Sequence, residues 1–227
     1  MCALALPLSS FAALSFDGVN AYVEIADSPS LGVDTTASVA MWVNPGSLGV
    51  VQRLYTKIDS SVSGIGVDIN ASNQFRAFFK GGVPANSLVT SVTTAQVGGW
   101  FHVAATFNGS GNFIIYINGI AEQTLAQTSS SIGTNTIVAR IGVRNDITNG
   151  FFNGSIEEVR VYNRELTANE IRSLYRFGNI RRGLVGYWPL LSARTEAWDY
   201  SRFGNTGKLI GGPGTARHYK PTRRFPF

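Results

Sequence analysis

The sequence has little charge, almost no cysteine and no long apolar run. Only 15% of its 227 residues are charged, well under the roughly 25% usual for soluble domains. The single cysteine, Cys2, excludes an intramolecular disulfide framework and a Cys-based zinc site. No apolar stretch approaches the ~20 residues that a membrane-spanning helix needs, so no membrane partner is expected. The short apolar start, Met1 to Leu8, has no basic residue before it, so the charged region of a signal peptide is missing. A soluble, unprocessed chain is expected, although small residues at Ser10 to Ala13 keep a secreted alternative open.

What the chain does contain is apolar side chains, glycine and aromatics. Hydrophobic residues make up 44% and there are 25 glycines, enough to bury a core and to turn the chain often. The net charge of +5 is unevenly placed. Residues 1–175 hold 9 Lys+Arg against 12 Asp+Glu, a net −3, while residues 176–227 hold 10 against 2, a net +8. A slightly acidic body thus carries a strongly basic end.

Period-2 alternation predicts short antiparallel strands, each with one face on the core. Val39, Met41 and Val43 alternate with Ala40 and Trp42 before Asn44-Pro45-Gly46. In FHVAATF, Val103, Ala105 and Phe107 lie opposite His102, Ala104 and Thr106. Asn118-Gly119 follows the strand pattern Phe113 to Ile117 and predicts a type I′ hairpin, because both residues accept positive φ. Val159 and Val161 alternate with Glu158, Arg160 and Tyr162. One helix is expected near residues 168–177. Thr167 and Glu170 form a capping box, Ile171, Leu174 and Tyr175 share a face, and Gly178 stands where the helix would stop.

Four strings carry a resemblance: ALSFDGVNAYVEI (Ala13 to Ile25), MWVNP (Met41 to Pro45), GWFHVAATFNGSGNFIIYINGIAEQT (Gly99 to Thr124) and FFNGSIEEVRVYNRELTANEIRSLY (Phe151 to Tyr175). In this order they resemble the laminin G-like, concanavalin A-like jelly-roll modules. The resemblance implies an all-β, antiparallel two-sheet sandwich over residues 12–178. An N-terminal arm (1–11) and a basic, aromatic-rich extension (179–227) flank it. GLVGYWPL (Gly183 to Leu190) and DYSRFGNTGKLIGGP (Asp199 to Pro213) resemble the segment that usually opens such a module, here placed last. It either completes its own sandwich or adds to a neighbour.

Catalytic signals are poor, and an enzyme is not expected. The E-x-D-x-x-E strand of concanavalin-like glycanases is absent, and adjacent Glu157 and Glu158 point to opposite faces of a strand. His102 and His218 have no nucleophile partner, and the glycine-rich GKLIGGPG lacks a phosphate-loop ending. No cofactor is required. The resemblance implies a Ca²⁺ site at the rim with Asp17 and Glu157 as ligands, but Glu157 and Asn20 stand where the family often has Asp.

For a glycan, the exposed-ring candidates are Tyr22, Tyr55, Trp100 and Phe151-Phe152. The tip loops Asp59 to Ile65 and Val143 to Gly150 would shape a site, while Trp42 and Trp100 fall in core strings. In the basic end, Arg181, Arg182, Arg223, Arg224, Phe225 and Phe227 are the docking candidates, the arginines for an acidic surface and the phenylalanines for a pocket. Nucleic acid is disfavoured, since no RNA-binding motif is present. The leading functional reading is a non-enzymatic module of a larger assembly. It would be a homo-oligomeric phage virion protein (capsid decoration or tail-associated) bound to capsid or other virion proteins. The alternative is a secreted, lectin-like carbohydrate-binding protein, calcium-dependent if the rim site fills.

Overall fold

A computed structural model describes residues 10–58, 63–80, 87–109, 112–126, 131–191 and 195–219. Sixteen strands and one α-helix are assigned among them. The strands are β1 (Ser10–Asp17), β2 (Tyr22–Ile25), β3 (Ala37–Pro45), β4 (Gln52–Lys57), β5 (Gly64–Ile69), β6 (Gln74–Lys80), β7 (Ser87–Thr94), β8 (Phe101–Phe107), β9 (Asn112–Ile117), β10 (Ile120–Ala126), β11 (Ala139–Ile141) and β12 (Asn153–Tyr162). Helix α1 (Ala168–Tyr175) follows, and then β13 (Leu184–Trp188), β14 (Glu196–Ala197), β15 (Gly207–Ile210) and β16 (Gly214–Tyr219). The helix is too short to cross a membrane, and no described helix could do so.

The strands form the two stacked antiparallel sheets that the alternation implies. One runs β10-β9-β8-β3-β12-β1-β16, with β13 also on β12, and the other runs β14-β15-β2-β11-β4-β5-β6-β7. Inward residues such as Val39, Met41, Val43, Val103, Phe107, Phe75 and Phe79 meet in one core between them. Asn118 and Gly119 take φ of 52° and 79°, so the β9–β10 hairpin turns as its two residues require. At the open edge of β7, the Glu122 carboxylate of β10 accepts the N–H groups of Val92 and Thr93, each at 2.8 Å. That contact ties the edges of the two sheets together and protects an otherwise unpaired strand.

The described strands after residue 178 belong to both sheets. Val159 to Tyr162 of β12 pair with Trp188 to Leu184 of β13, β15 pairs with β2, and β16 pairs with β1 from Ser10↔Tyr219 to Ser15↔Gly214. Trp188 is fully buried, and its indole N–H donates to the Asn205 carbonyl at 2.8 Å.

The first sheet departs from the expected one-sided burial, since β3 and β8 are buried on both faces. Outward-facing Ala40 and Ala104 are small enough to let Leu166, Ile171 and Leu174 pack down beside Tyr116 and Tyr162 as a second apolar cluster. Helix α1 carries the expected capping box. Arg164 adds a bidentate pair to Glu170 at 2.6 and 2.9 Å. That hydrogen bond, with the N–H and hydroxyl of Thr167, outweighs a small burial effect and holds the Glu170 carboxyl down to about 2. The helix stops before Gly178, as expected. The left-handed residue is Phe177 (φ 65°), whose N–H reaches the Leu174 carbonyl while Gly178 N–H reaches that of Ser173, a Schellman arrangement. Gly178 is needed for closeness instead, because a Cβ there would meet Ser173 Oγ at 1.9 Å. The Phe177 ring stacks on Trp42 with centroids 5.6 Å apart, which holds the bulky residue in that conformation.

His102 lies under this layer, 1% exposed. Burial, helped by the Arg160 charge, holds its imidazole down to about 3. The unfolded chain takes up that proton below about pH 6.5 and the folded chain does not until about pH 3. Stability should therefore fall on acidification through this window, by up to ~1.4 kcal/mol per pH unit. Denaturant melts at pH 7, 6, 5 and 4 should show a shallower slope for His102→Leu than for the parent. Equal slopes would show that His102 does not set the pH dependence. Trp188→Ala should cost about 3–5 kcal/mol by the same measurement.

Candidate functional site

The end of β12 and the C-terminal segment build a cleft of about 450 Å³, within the ~300–1,000 Å³ of typical small-ligand sites. One side comes from Asn163 and residues 181–183, the other from residues 200–203, with buried Leu184 and Val185 between them. The first side is fixed through its backbone. Arg164 Nε donates to the Arg182 carbonyl at 2.9 Å, Asn163 N–H to that of Gly183 at 2.9 Å, and the Tyr162 hydroxyl to that of Ile180 at 3.1 Å. Gly183 has φ 76°, and a Cβ there would lie 2.8 Å from Arg164 Cγ. The Arg181 and Arg182 side chains are left exposed.

The second side is a loop organised by Asp199. Its Oδ1 accepts the N–H groups of Tyr187 and Ser201, each at 2.8 Å. Its Oδ2 accepts the Ser201 hydroxyl and the Asn205 N–H, each at 2.7 Å. Asn205 Nδ2 in turn donates to the Val185 carbonyl at 2.8 Å. On this frame stand three open rings: Trp198 (56% exposed), Tyr200 (63%) and Phe203 (41%). Tyr200 packs edge-on against Tyr187, centroids 6.1 Å apart. Tyr187 is itself held by its hydroxyl on Glu158 and by Arg160 lying 4.2 Å over its ring. Burial, with the Glu158 carboxylate, pushes the Tyr187 phenol up to about 12, so it stays a donor. Tyr200 also lines a smaller hollow with Trp198, Leu191 and Leu209, which gives it ligand-accessible surface on both sides.

A second concavity of about 720 Å³ lies at a rim between Asp27, Ser28, Ser63 and Asn135. It has no aromatic lining among the described residues, and its polar groups are already committed. Asp27 pairs with Lys57 at 2.6 Å, and Asn135 bonds Lys57 and Ser63.

The residues singled out in the sequence fall in different places. Asp17 Oδ1 accepts three backbone N–H groups, from Val19, Asn20 and Ala21, at 2.8 to 3.0 Å. Slight burial opposes these bonds, but they prevail and hold the carboxyl below its ordinary value. Glu157 is fully buried on β12 opposite Trp42, whereas Asp17 pairs with Asn153, four residues or roughly 13 Å back along the strand. The two do not meet, and they do not fit a shared Ca²⁺ site. Among the described residues no group of three or more acidic, His or Cys side chains gathers that could hold a metal ion.

Arg181 and Arg182 line the cleft, while Arg223, Arg224, Phe225, Phe227 and Cys2 lie outside the described residues. The proposed sugar platforms do not serve: Tyr55 and Phe152 are at most 1% exposed and Tyr22 is 9% exposed. Trp100 and Phe151 are half-buried. The Asp199 frame was not found from the sequence, although the D-x-S-x-x-x-N spacing of Asp199, Ser201 and Asn205 has the form of a side-chain-bonded turn.

No acid–base pair of carboxylates gathers at the cleft among the described residues. None lines the cleft, Asp68 is buried between Arg53 and Arg76, and Glu158 is held by Arg160 at 2.5 Å.

A family model described as the concanavalin A-like lectin/glucanases superfamily matches residues 17–172. No curated protein sequence matches the chain. Among solved structures it is similar to a proposed carbohydrate-binding protein from Bacteroides ovatus, at TM-score 0.73 and 16% identity, covering 93% of this chain and 61% of that one. It is similar to a heptameric SAP-like pentraxin from Limulus polyphemus, at TM-score 0.64 and 15% identity, covering 95% and 97%. Domain 4 of an extracellular arabinanase from Geobacillus stearothermophilus, solved with arabinotriose, gives TM-score 0.56 and 20% identity over 72% and 76%. The chain thus spans about three fifths of the first of these proteins and nearly all of the second. At these identities the likeness is one of fold.

If Asp199 is the hub of the loop, Asp199→Ala strands four donors and should cost about 2 kcal/mol or more. Hydrogen exchange at residues 200–206 should rise in that variant ahead of the sheet amides.

Proposed function

The chain belongs to the concanavalin A-like lectin/glucanases superfamily, and on that premise we propose that it is a non-catalytic carbohydrate-binding module whose site is the cleft beside Tyr200. The observation that carries this reading is a set of exposed rings, Tyr200 and Phe203 in the cleft and Trp198 in the adjoining hollow, standing on a loop fixed by hydrogen bonds. Open aromatic faces give a sugar ring an apolar surface to lie on, and nearby Asn163 and arginine donors meet its hydroxyls. A rigid platform also loses little conformational freedom on binding.

The carbohydrate-binding names among the structural neighbours support the same reading. The absence of any carboxylate from the cleft lining supports binding over glycoside hydrolysis, which needs two. An arm-like basic end is one of the features that suggest a virion protein. Up to residue 219 that basic end is taken up by strands and by the cleft.

A broad glycan panel, followed by calorimetry on the best hit, tests this. Tyr200→Ala should fold normally, since the ring is mostly exposed, and should weaken binding about tenfold or more, near 1.4 kcal/mol. Absence of any hit on the panel, or unchanged affinity in Tyr200→Ala, would reject the site.

A further inference from the structure

We infer that the cleft is selective for acidic saccharides, those whose rings carry a carboxylate or a sulfate ester. The inference rests on the carbohydrate-binding reading and deepens it.

Its basis is a contrast among arginines. In the body, Arg53, Arg76, Arg140, Arg144, Arg160 and Arg164 each pair with a carboxylate at 2.5 to 3.1 Å. Arg181, Arg182 and Arg202 make no ion pair among the described residues, yet all three line one hollow of about 450 Å³. The two sides of the cleft bring them together: Arg181 and Arg182 from the turn before β13, Arg202 from the loop opposite. Arg202 lies 5.0 Å over the Phe203 ring, a cation–π contact that keeps its head at the cleft lip.

Acids near by in the fold do not neutralise them. Glu170 is bound to Arg164, Glu158 to Arg160, and Asp199 to its own loop. Three uncompensated guanidinium groups converging on one ligand-sized space repel one another, and an anion relieves that repulsion. Guanidinium forks match the planar oxygen pairs of carboxylate and the oxygens of sulfate. The rings of Tyr200 and Phe203 line the same cleft, so a ligand that is both a pyranose and an anion uses every group present. A nucleic-acid strand also combines charge with stacking. It needs a basic track for successive phosphates, however, whereas here the body has net charge −3 and Arg181, Arg182 and Arg202 line a single hollow.

The test is calorimetry at 50 and 300 mM salt with four probes: an oligogalacturonate, the same oligosaccharide with its carboxyls reduced to alcohols, a sulfated oligosaccharide, and a 12-nucleotide single strand of DNA. We expect the oligogalacturonate or the sulfated oligosaccharide to bind at least tenfold tighter than the reduced compound, with the advantage shrinking at high salt. The better of the two identifies the anion. Arg181→Gln with Arg182→Gln, and separately Arg202→Gln, should remove the advantage, weakening the acidic probe about fivefold or more beyond any loss for the reduced compound. All three side chains are exposed, so folding should be unaffected, as melting would verify.

Equal binding of charged and neutral oligosaccharides, or insensitivity to the arginine substitutions, overturns the acidic selectivity and leaves the carbohydrate reading standing. Failure of every saccharide overturns both. Tighter binding of the DNA, lost in the same arginine variants, overturns both in favour of a nucleic-acid site.

Discussion

The structure depends on β12 pairing along both of its edges. On one side it takes β3 along its length. On the other it takes two strands end to end, β1 from the start of the chain and β13 from near its end. A single straight strand would present one continuous ladder; this one is broken by a bulge between Glu157 and Arg160, where Glu158 adopts φ 58°. The extra residue re-aims the strand between its two partners, and Glu158 N–H leaves the ladder to reach the Pro189 carbonyl at 3.2 Å. The conformation is costly for a non-glycine residue. It is offset where the Glu158 side chain meets Arg160 and the Tyr187 hydroxyl. The bulge that joins the two termini of the fold is therefore also what braces Tyr187, and through it Tyr200.

Burial of the first sheet on both faces has a further consequence. Because α1 and the residues around Leu166 and Leu184 cover its outer side, the chain leaves β12 over protein and not over water. The turn at 180–183 is then caught by Tyr162, Asn163 and Arg164, all from the same strand end. Arg164 is pivotal because its guanidinium reaches both the helix cap at Glu170 and the Arg182 carbonyl. The helix, the turn and the cleft thus share one anchor, and a change in the capping box should be felt at the position of Arg181 and Arg182.

Much of the sandwich was legible in the sequence because its signals are local. Alternation in β3 and β8, Asn118-Gly119 and Thr167-x-x-Glu170 each declare themselves within a few residues. The placement of Gly183 to Tyr219 was not, since strand pairing at a sheet edge is made by backbone groups that look the same on this chain or on a neighbour. The cleft was illegible for a related reason: residues 181–183 and 200–203 are brought together by β13, β15 and the Asp199 bonds, which no pattern in either segment encodes. Burial misled the choice of rings. Tyr55 and Phe152 lie in strands whose inward register decides their fate, while Tyr200 and Phe203 are held outward by a turn. At the helix end the sequence placed the stop at Gly178, which closes the cap on the Ser173 carbonyl, while stacking on Trp42 lets Phe177 take the left-handed conformation.

One question about the cleft is why Asp199, in the same loop as Arg202, does not quench its charge. A carboxylate has about four lone-pair positions. Here Tyr187, Asn205 and both donors of Ser201 occupy four. An arginine could bond to Asp199 only by displacing a donor that holds the loop, which would slacken the frame under Tyr200. Building the loop around an internal carboxylate therefore has two effects at once. It fixes the aromatic platform, and it removes a carboxylate of the same loop from competition for Arg202. The low charged fraction of the chain works in the same direction, because it leaves few other carboxylates to fold back onto the arginines. A basic cleft on an acidic body is then the ordinary electrostatic result of where the hydrogen bonds of one aspartate go.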